Sequence, residues 1–90
     1  MLKDIIAAQP LENYRLRLRF EDGIEGVVDL GRSLSFRGVF EPLRDPAFFA
    51  QVRVDSGLGT VTWPNGADLD PDVLYAEVTG KPIRFEQSRA

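Results

Sequence analysis

The stretch NYRLRLRFEDGIEGVVDL, residues 13–30, decides how the chain folds. Tyr14, Leu16, Leu18 and Phe20 alternate with Asn13, Arg15, Arg17 and Arg19, the period-2 pattern of a strand with one face in the core. After Glu21-Asp22-Gly23 the even positions Ile24, Gly26, Val28 and Leu30 are apolar or small, and Glu25 and Asp29 are charged. Parity then sets the loop. A two-residue Asp22-Gly23 turn would pair Glu21 with Ile24, whereas a three-residue loop pairs Phe20 with Ile24, apolar with apolar. Gly23 then takes the left-handed position of a bulge. This register predicts Arg19 opposite Glu25, Arg17 opposite Val27 and Arg15 opposite Asp29, with Phe20 and Ile24 buried. Arg17 is left without an acidic neighbour. It is the residue on which a functional reading of the arginine stripe, as a ribbon offered to phosphate or an acidic partner, would rest; the ordinary reading is a solvated sheet face with cross-strand ion pairs.

Ninety residues at 43% hydrophobic and 28% charged make one small globular domain, read as residues 1–80 with a tail over 81–90. A formal charge of −3 argues against a general polyanion binder, so direct nucleic-acid binding is not expected. No cysteine and no histidine are present, which removes disulfides, thiol nucleophiles, Cys-type zinc sites and the commonest general base. No signal peptide is legible and no stretch nears the ~20 apolar residues of a membrane span, so a cytoplasmic protein is expected.

A first strand is expected over residues 2–8, and VRVDSGLGTVTW makes a second hairpin, with Val54 facing Val61 and Val52 facing Trp63. The Gly- and Pro-rich segment between the hairpins holds only short helical pieces. One begins at Asp45-Pro46, an N-cap followed by proline at the first helical position, and runs through Phe48 and Phe49. The fold class that follows is α+β: a small antiparallel sheet of two hairpins plus an N-terminal strand, with short helices including one near 71–79.

Asp68, Asp70 and Asp72 alternate ahead of that last helix. Trp63-Pro64-Asn65-Gly66 reads as a turn that ends the preceding strand, and Asp70-Pro71 repeats the Asp45-Pro46 entry. Asp70 as N-cap accepts from the amide of Asp72 or Val73, Asp72 favours the helix dipole, and Leu69 and Leu74 fall at the places of a hydrophobic staple. Gly80 supplies the left-handed exit, with Pro82 beyond it. The same spacing invites a divalent metal, but a calcium loop wants glycine and glutamate where Val73 and Thr79 stand. Asp68 is left without a local role. Paired-carboxylate catalysis needs two carboxyls converging across a cleft, and successive positions at a helix start diverge. Trp63 reads as a core residue on its strand or as an interface anchor. No catalytic residue and no cofactor is expected.

Three segments, LRLRFEDGIEGVVDL, GVFEPLRDPAFFAQVRV and TVTWPNGADLDPDVLY, follow one another in an order that resembles the bacterial domain-of-unknown-function family 2442, over roughly residues 2–80. The most specific part runs over residues 63–75. The resemblance implies a compact α+β domain without assigned catalytic residues; some small relatives look like one half of a two-gene, toxin–antitoxin-like pair. Two function classes follow. The first is a non-enzymatic interaction module, the acidic partner of a small basic protein, with Arg17, Trp63 and Asp68 as interaction candidates. The alternative is a weak divalent-metal or small-ligand protein centred on Asp68, Asp70 and Asp72. A sheet of four or five strands has two edges and few helices to cover them, which predicts a homodimer or a complex formed through a sheet edge.

Overall fold

Parity governs the register observed in the computed structural model, which describes residues 3–80. Strands β1 (Ile5–Leu11), β2 (Arg15–Phe20) and β3 (Glu25–Asp29) form an antiparallel sheet in the order β1-β2-β3. Arg15 faces Asp29, Arg17 faces Val27 and Arg19 faces Glu25, as the alternation predicts. The Phe20 amide donates to the Ile24 carbonyl (2.8 Å), the Gly23 amide to the Phe20 carbonyl (2.9 Å), and Gly23 sits at φ 91°. Leu16, Leu18 and Phe20 are fully buried.

Three expectations need correcting here. The first strand begins at Ile5 and continues to Leu11, later than residues 2–8; Leu2 lies outside the described residues, as do Pro82 and the tail over 81–90. It passes through Pro10 because that residue lies on the edge of the sheet, where no ladder bond is asked of its nitrogen. The second strand begins at Arg15 instead of Asn13. Glu12–Tyr14 form a tight 3-10 turn joining β1 to β2, with Asn13 and Tyr14 both at φ 61°. A left-handed tyrosine costs roughly 1–2 kcal/mol. Non-local contacts hold it: the ring packs on Phe36 (5.2 Å) and Phe49 (5.4 Å), and the hydroxyl donates to the Arg44 carbonyl. Third, Ile24 faces Phe20 yet is 37% exposed. Tyr75 covers Phe20 at this end of the sheet, edge-on at 4.9 Å, whereas Ile24 lies at the hairpin's loop end, outside the buried core.

The second hairpin, β4 (Arg53–Asp55) and β5 (Thr60–Thr62), pairs Val54 with Val61 as expected, but its ladder ends at Arg53–Thr62, one pair short of Val52 and Trp63. It is a separate two-stranded sheet, not a continuation of the first, because it meets β1 end-on: the Ile5 amide donates to the Gly59 carbonyl (2.9 Å) in the β4–β5 turn. Beyond β5 the turn Pro64-Asn65-Gly66 repeats the geometry of Glu21-Asp22-Gly23. The Gly66 amide donates to the Trp63 carbonyl and the Trp63 amide to the Ala67 carbonyl, both at 2.9 Å, and Gly66 has φ 90°. The chain therefore doubles back, bridging Thr62 to Asp68.

Helices α1 (Leu30–Ser33), α2 (Pro46–Phe49) and α3 (Pro71–Thr79), with a 3-10 segment over Gly38–Arg44, cover the inner face. Asp45 caps α2 by accepting from the Ala47 amide (3.0 Å). Leu30, Leu43, Phe49, Val61, Trp63 and Leu74 join the sheet's buried residues in one core. Among the described residues no helix is long and apolar enough to cross a membrane.

Candidate functional site

The acidic run takes its shape from two local devices. Asp70 accepts from the Asp72 amide (2.9 Å) and so caps α3, and Gly80 closes the helix at φ 75°, its amide donating to the Ala76 carbonyl. Upstream, the Thr62–Asp68 bridge keeps residues 67–69 extended, so that Ala67 is buried, Asp68 is exposed and Leu69 is half-buried. The Thr60 hydroxyl locks this by donating to the Leu69 carbonyl (2.7 Å). Asp68 thus gains what local sequence could not give it: an outward position at the mouth of a groove.

That groove, of about 420 Å³, lies between α1, Phe40 and the start of α3. Its floor and walls are Leu30, Leu34, Phe40, Leu69, Val73 and Leu74; Ser33, Asp68, Asp70 and Glu77 complete the lining. Asp70, Val73, Leu74 and Glu77 fall at the spacing of one helical face, which is why α3 contributes both apolar surface and carboxylates. No lysine or arginine lines the groove, and none occurs in the sequence between Arg53 and Lys81. Val73 is 45% exposed, leaving an apolar side chain at the opening. A larger hollow of about 600 Å³ beside Tyr14, Pro46 and Phe49 has a single charged lining residue, Glu12, and no comparable convergence of charge.

The three aspartates do not converge. The Asp70 carboxylate is turned to its own helix, and among the described residues no three acidic side chains come together in a way that could hold an ion. Trp63 is the core residue that its strand position suggests and not an interface anchor: it is 2% exposed, donates from Nε1 to the Phe49 carbonyl (2.9 Å) and packs on the Phe49 ring. Satisfying its one donor inside the core leaves it nothing to offer a partner. Arg17 stands on the opposite face of the sheet, exposed between Gln9 and Val27, while Arg19–Glu25 (3.6 Å) and Arg15–Asp29 (3.8 Å) pair on either side. Leu34, Phe40 and Glu77 were not singled out by the sequence: the first two come from the breaker-rich segment, and the signal that could have found Glu77 is its spacing of seven, four and three residues from Asp70, Val73 and Leu74 on α3.

One polar pair outside the groove ties the first hairpin to α3. The Tyr75 hydroxyl donates to Asp22 Oδ2 (2.6 Å), and Asp22 Oδ1 accepts from the Ile24 amide (3.0 Å). These hydrogen bonds, that from Tyr75 first, hold the Asp22 carboxyl below its ordinary range, and the same bond raises the Tyr75 phenol above its own.

No curated protein and no solved structure matches the chain. A family model described as "Protein of unknown function (DUF2442)" matches residues 5–80, which takes in the whole sheet, both hairpins and α3. By that match the chain belongs to the DUF2442 family.

Proposed function

We propose that this protein is a non-enzymatic interaction module, the acidic half of a two-protein pair, and that the groove between α1 and α3 receives a partner segment in which apolar side chains are flanked by lysine or arginine. One observation carries this reading: an apolar trough whose charged lining residues, Asp68, Asp70 and Glu77, all bear the same sign. Apolar side chains on the partner would bury against Leu34, Phe40 and Val73, contributing about 25 cal/mol per Å² removed from water. The carboxylates would steer a cationic segment and select against an acidic one, acting on association rate more than on affinity. The absence of histidine and cysteine supports a binding role over a catalytic one, and a chain without disulfides suits the cytoplasm, where the proposal places it.

The test is a titration of the labelled full-length protein, followed by amide chemical shifts. The probe is a short amphipathic peptide with a leucine pair flanked by lysine and arginine; its isostere carries glutamate at every basic position. The basic peptide is expected to move the amides of Leu34, Val73 and Glu77 and to saturate. Asp68→Lys combined with Glu77→Lys is expected to weaken it on the order of tenfold, from two exposed charge contacts of under about 1 kcal/mol each. Equal binding of the two peptides, or shifts confined to another face, would remove the groove from the account.

A further inference from the structure

The ladder between β2 and β3 determines which backbone groups of β3 are already engaged. Phe20 donates to Ile24, so the pairs of the same parity, Leu18 with Gly26 and Leu16 with Val28, exchange the ladder's bonds. The N–H and C=O groups of Glu25, Val27 and Asp29 therefore point away from β2. Among the described residues the Asp29 carbonyl has a side-chain partner, the Ser33 hydroxyl (3.2 Å), whereas the backbone groups of Glu25 and Val27 have none. The opposite edge of the sheet is blunted. There the Ile5 amide is taken by Gly59, and Pro10 occupies an outward position with no N–H to offer.

We propose that the β3 edge accepts a strand from a different protein, one with lysine or arginine two residues to either side of a central apolar residue, and that the same side chains turn away a second copy of this chain. Glu25, Val27 and Asp29 project from one face of the sheet, the face that carries Arg15, Arg17 and Arg19. In the fullest antiparallel register between two copies, Val27 meets Val27 and each Glu25 meets an Asp29. Like charges then stand directly opposite at both ends, which destabilises the pairing. A basic strand in that place sets a cation against each carboxylate and an apolar side chain against Val27, which is 44% exposed. From its other side β3 already makes such pairs, with Arg19 on Glu25 and Arg15 on Asp29. This surface is separate from the groove, and the inference stands without it.

Amide hydrogen exchange at Glu25 and Val27 tests it in the full-length protein, with the peptide Thr-Arg-Thr-Val-Thr-Arg-Thr as probe and Thr-Glu-Thr-Val-Thr-Glu-Thr as control. Exchange at both amides is expected to be fast in the free protein, to slow on the order of tenfold with the arginine peptide, and to be unchanged by the glutamate peptide. Sedimentation is expected to give a monomer for the native chain and a dimer for Glu25→Lys, since the introduced lysine then meets Asp29 of the other copy. Slow exchange in the free chain, from a second copy or from residues 81–90 lying on the edge, would overturn the proposal. Equal protection by both peptides, a native dimer that protects Val27, or a Glu25→Lys variant that stays monomeric would do so too.

Discussion

Replacing Gly26 with alanine tests the packing that brings α3 to the sheet. Gly26 faces inward, opposite Leu18, and a Cβ built on it would lie 2.5 Å from Val78 Cγ1 and 3.3 Å from Val78 Cβ and Cγ2. Ordinary carbon contacts begin near 3.4 Å, so the helix or the valine must move by nearly 1 Å. Valine in a helix has one strongly preferred rotamer, so the strain is not relieved by a turn of χ1. Overpacking of this kind costs roughly 1–3 kcal/mol. Removing a glycine from a strand recovers about 0.5–1 kcal/mol. The expected net loss for Gly26→Ala is about 0–2.5 kcal/mol, read as a lower urea midpoint with unchanged slope. Val78→Ala alone should cost roughly 1 kcal/mol, from the methyls it removes. The double variant should be more stable than the sum of the two predicts by about 1 kcal/mol or more, because the second change empties the space the first one fills. A stabilising Gly26→Ala, or strict additivity in the cycle, would refute the placement of Val78 over Gly26.

Further outcomes follow from single contacts. Asp70→Ala should cost roughly 0.5–2 kcal/mol and Asp70→Ser recover much of it, since only the cap to the Asp72 amide is at stake; equal losses for the two would count against the cap. Trp63→Phe should cost about 1–3 kcal/mol, from lost volume and from the lost indole hydrogen bond to the Phe49 carbonyl, which keeps only the longer bond from the Val52 amide (3.3 Å), and a change within error on thermal unfolding would contradict that role. Tyr75→Phe keeps the ring on Phe20 and removes the bond to Asp22. The Asp22 carboxyl lies below 3.8 in the folded chain, so its contribution is present above that pH and is lost as the pH falls through the lowered value. The Tyr75 phenol lies above 10.0, so its contribution is present below that pH and is lost as the pH rises through the raised value. The stability gap between native chain and Tyr75→Phe should accordingly be flat at neutral pH and shrink at both extremes; a gap independent of pH throughout would mean that the pair does not form.

What the sequence revealed and what it concealed divide along local and non-local lines. The β2–β3 register was legible because a one-residue slip would turn Leu16, Leu18 and Phe20 to solvent. Both Asp-Pro helix entries were legible because a cap is made within three residues of chain. The Glu12–Tyr14 turn was not, since a left-handed tyrosine is held by Phe36, Phe49 and Arg44, partners that no window of sequence brings together. Nor was the strand through Pro10, which depends on that residue lying at an edge. The division into two sheets escaped notice because alternation sets a strand's faces without setting its neighbours. At the groove, Asp68 and Asp70 stood out, but Leu34 and Phe40 reach them only through tertiary folding of a segment with no period of its own.

If the acidic-lined groove selects its partner segment by charge, as proposed, then exchanging the groove's charge must exchange its preference, and calorimetry reads that exchange. The native protein is to be titrated with the basic amphipathic peptide and with its glutamate isostere, and the Asp68→Lys, Glu77→Lys variant with the same two. The prediction is an inversion: the native chain prefers the basic peptide, the variant prefers the acidic one, and both preferences fade as salt is raised. A variant that binds both peptides as the native chain does would show that Asp68 and Glu77 take no part in recognition and would contradict the account.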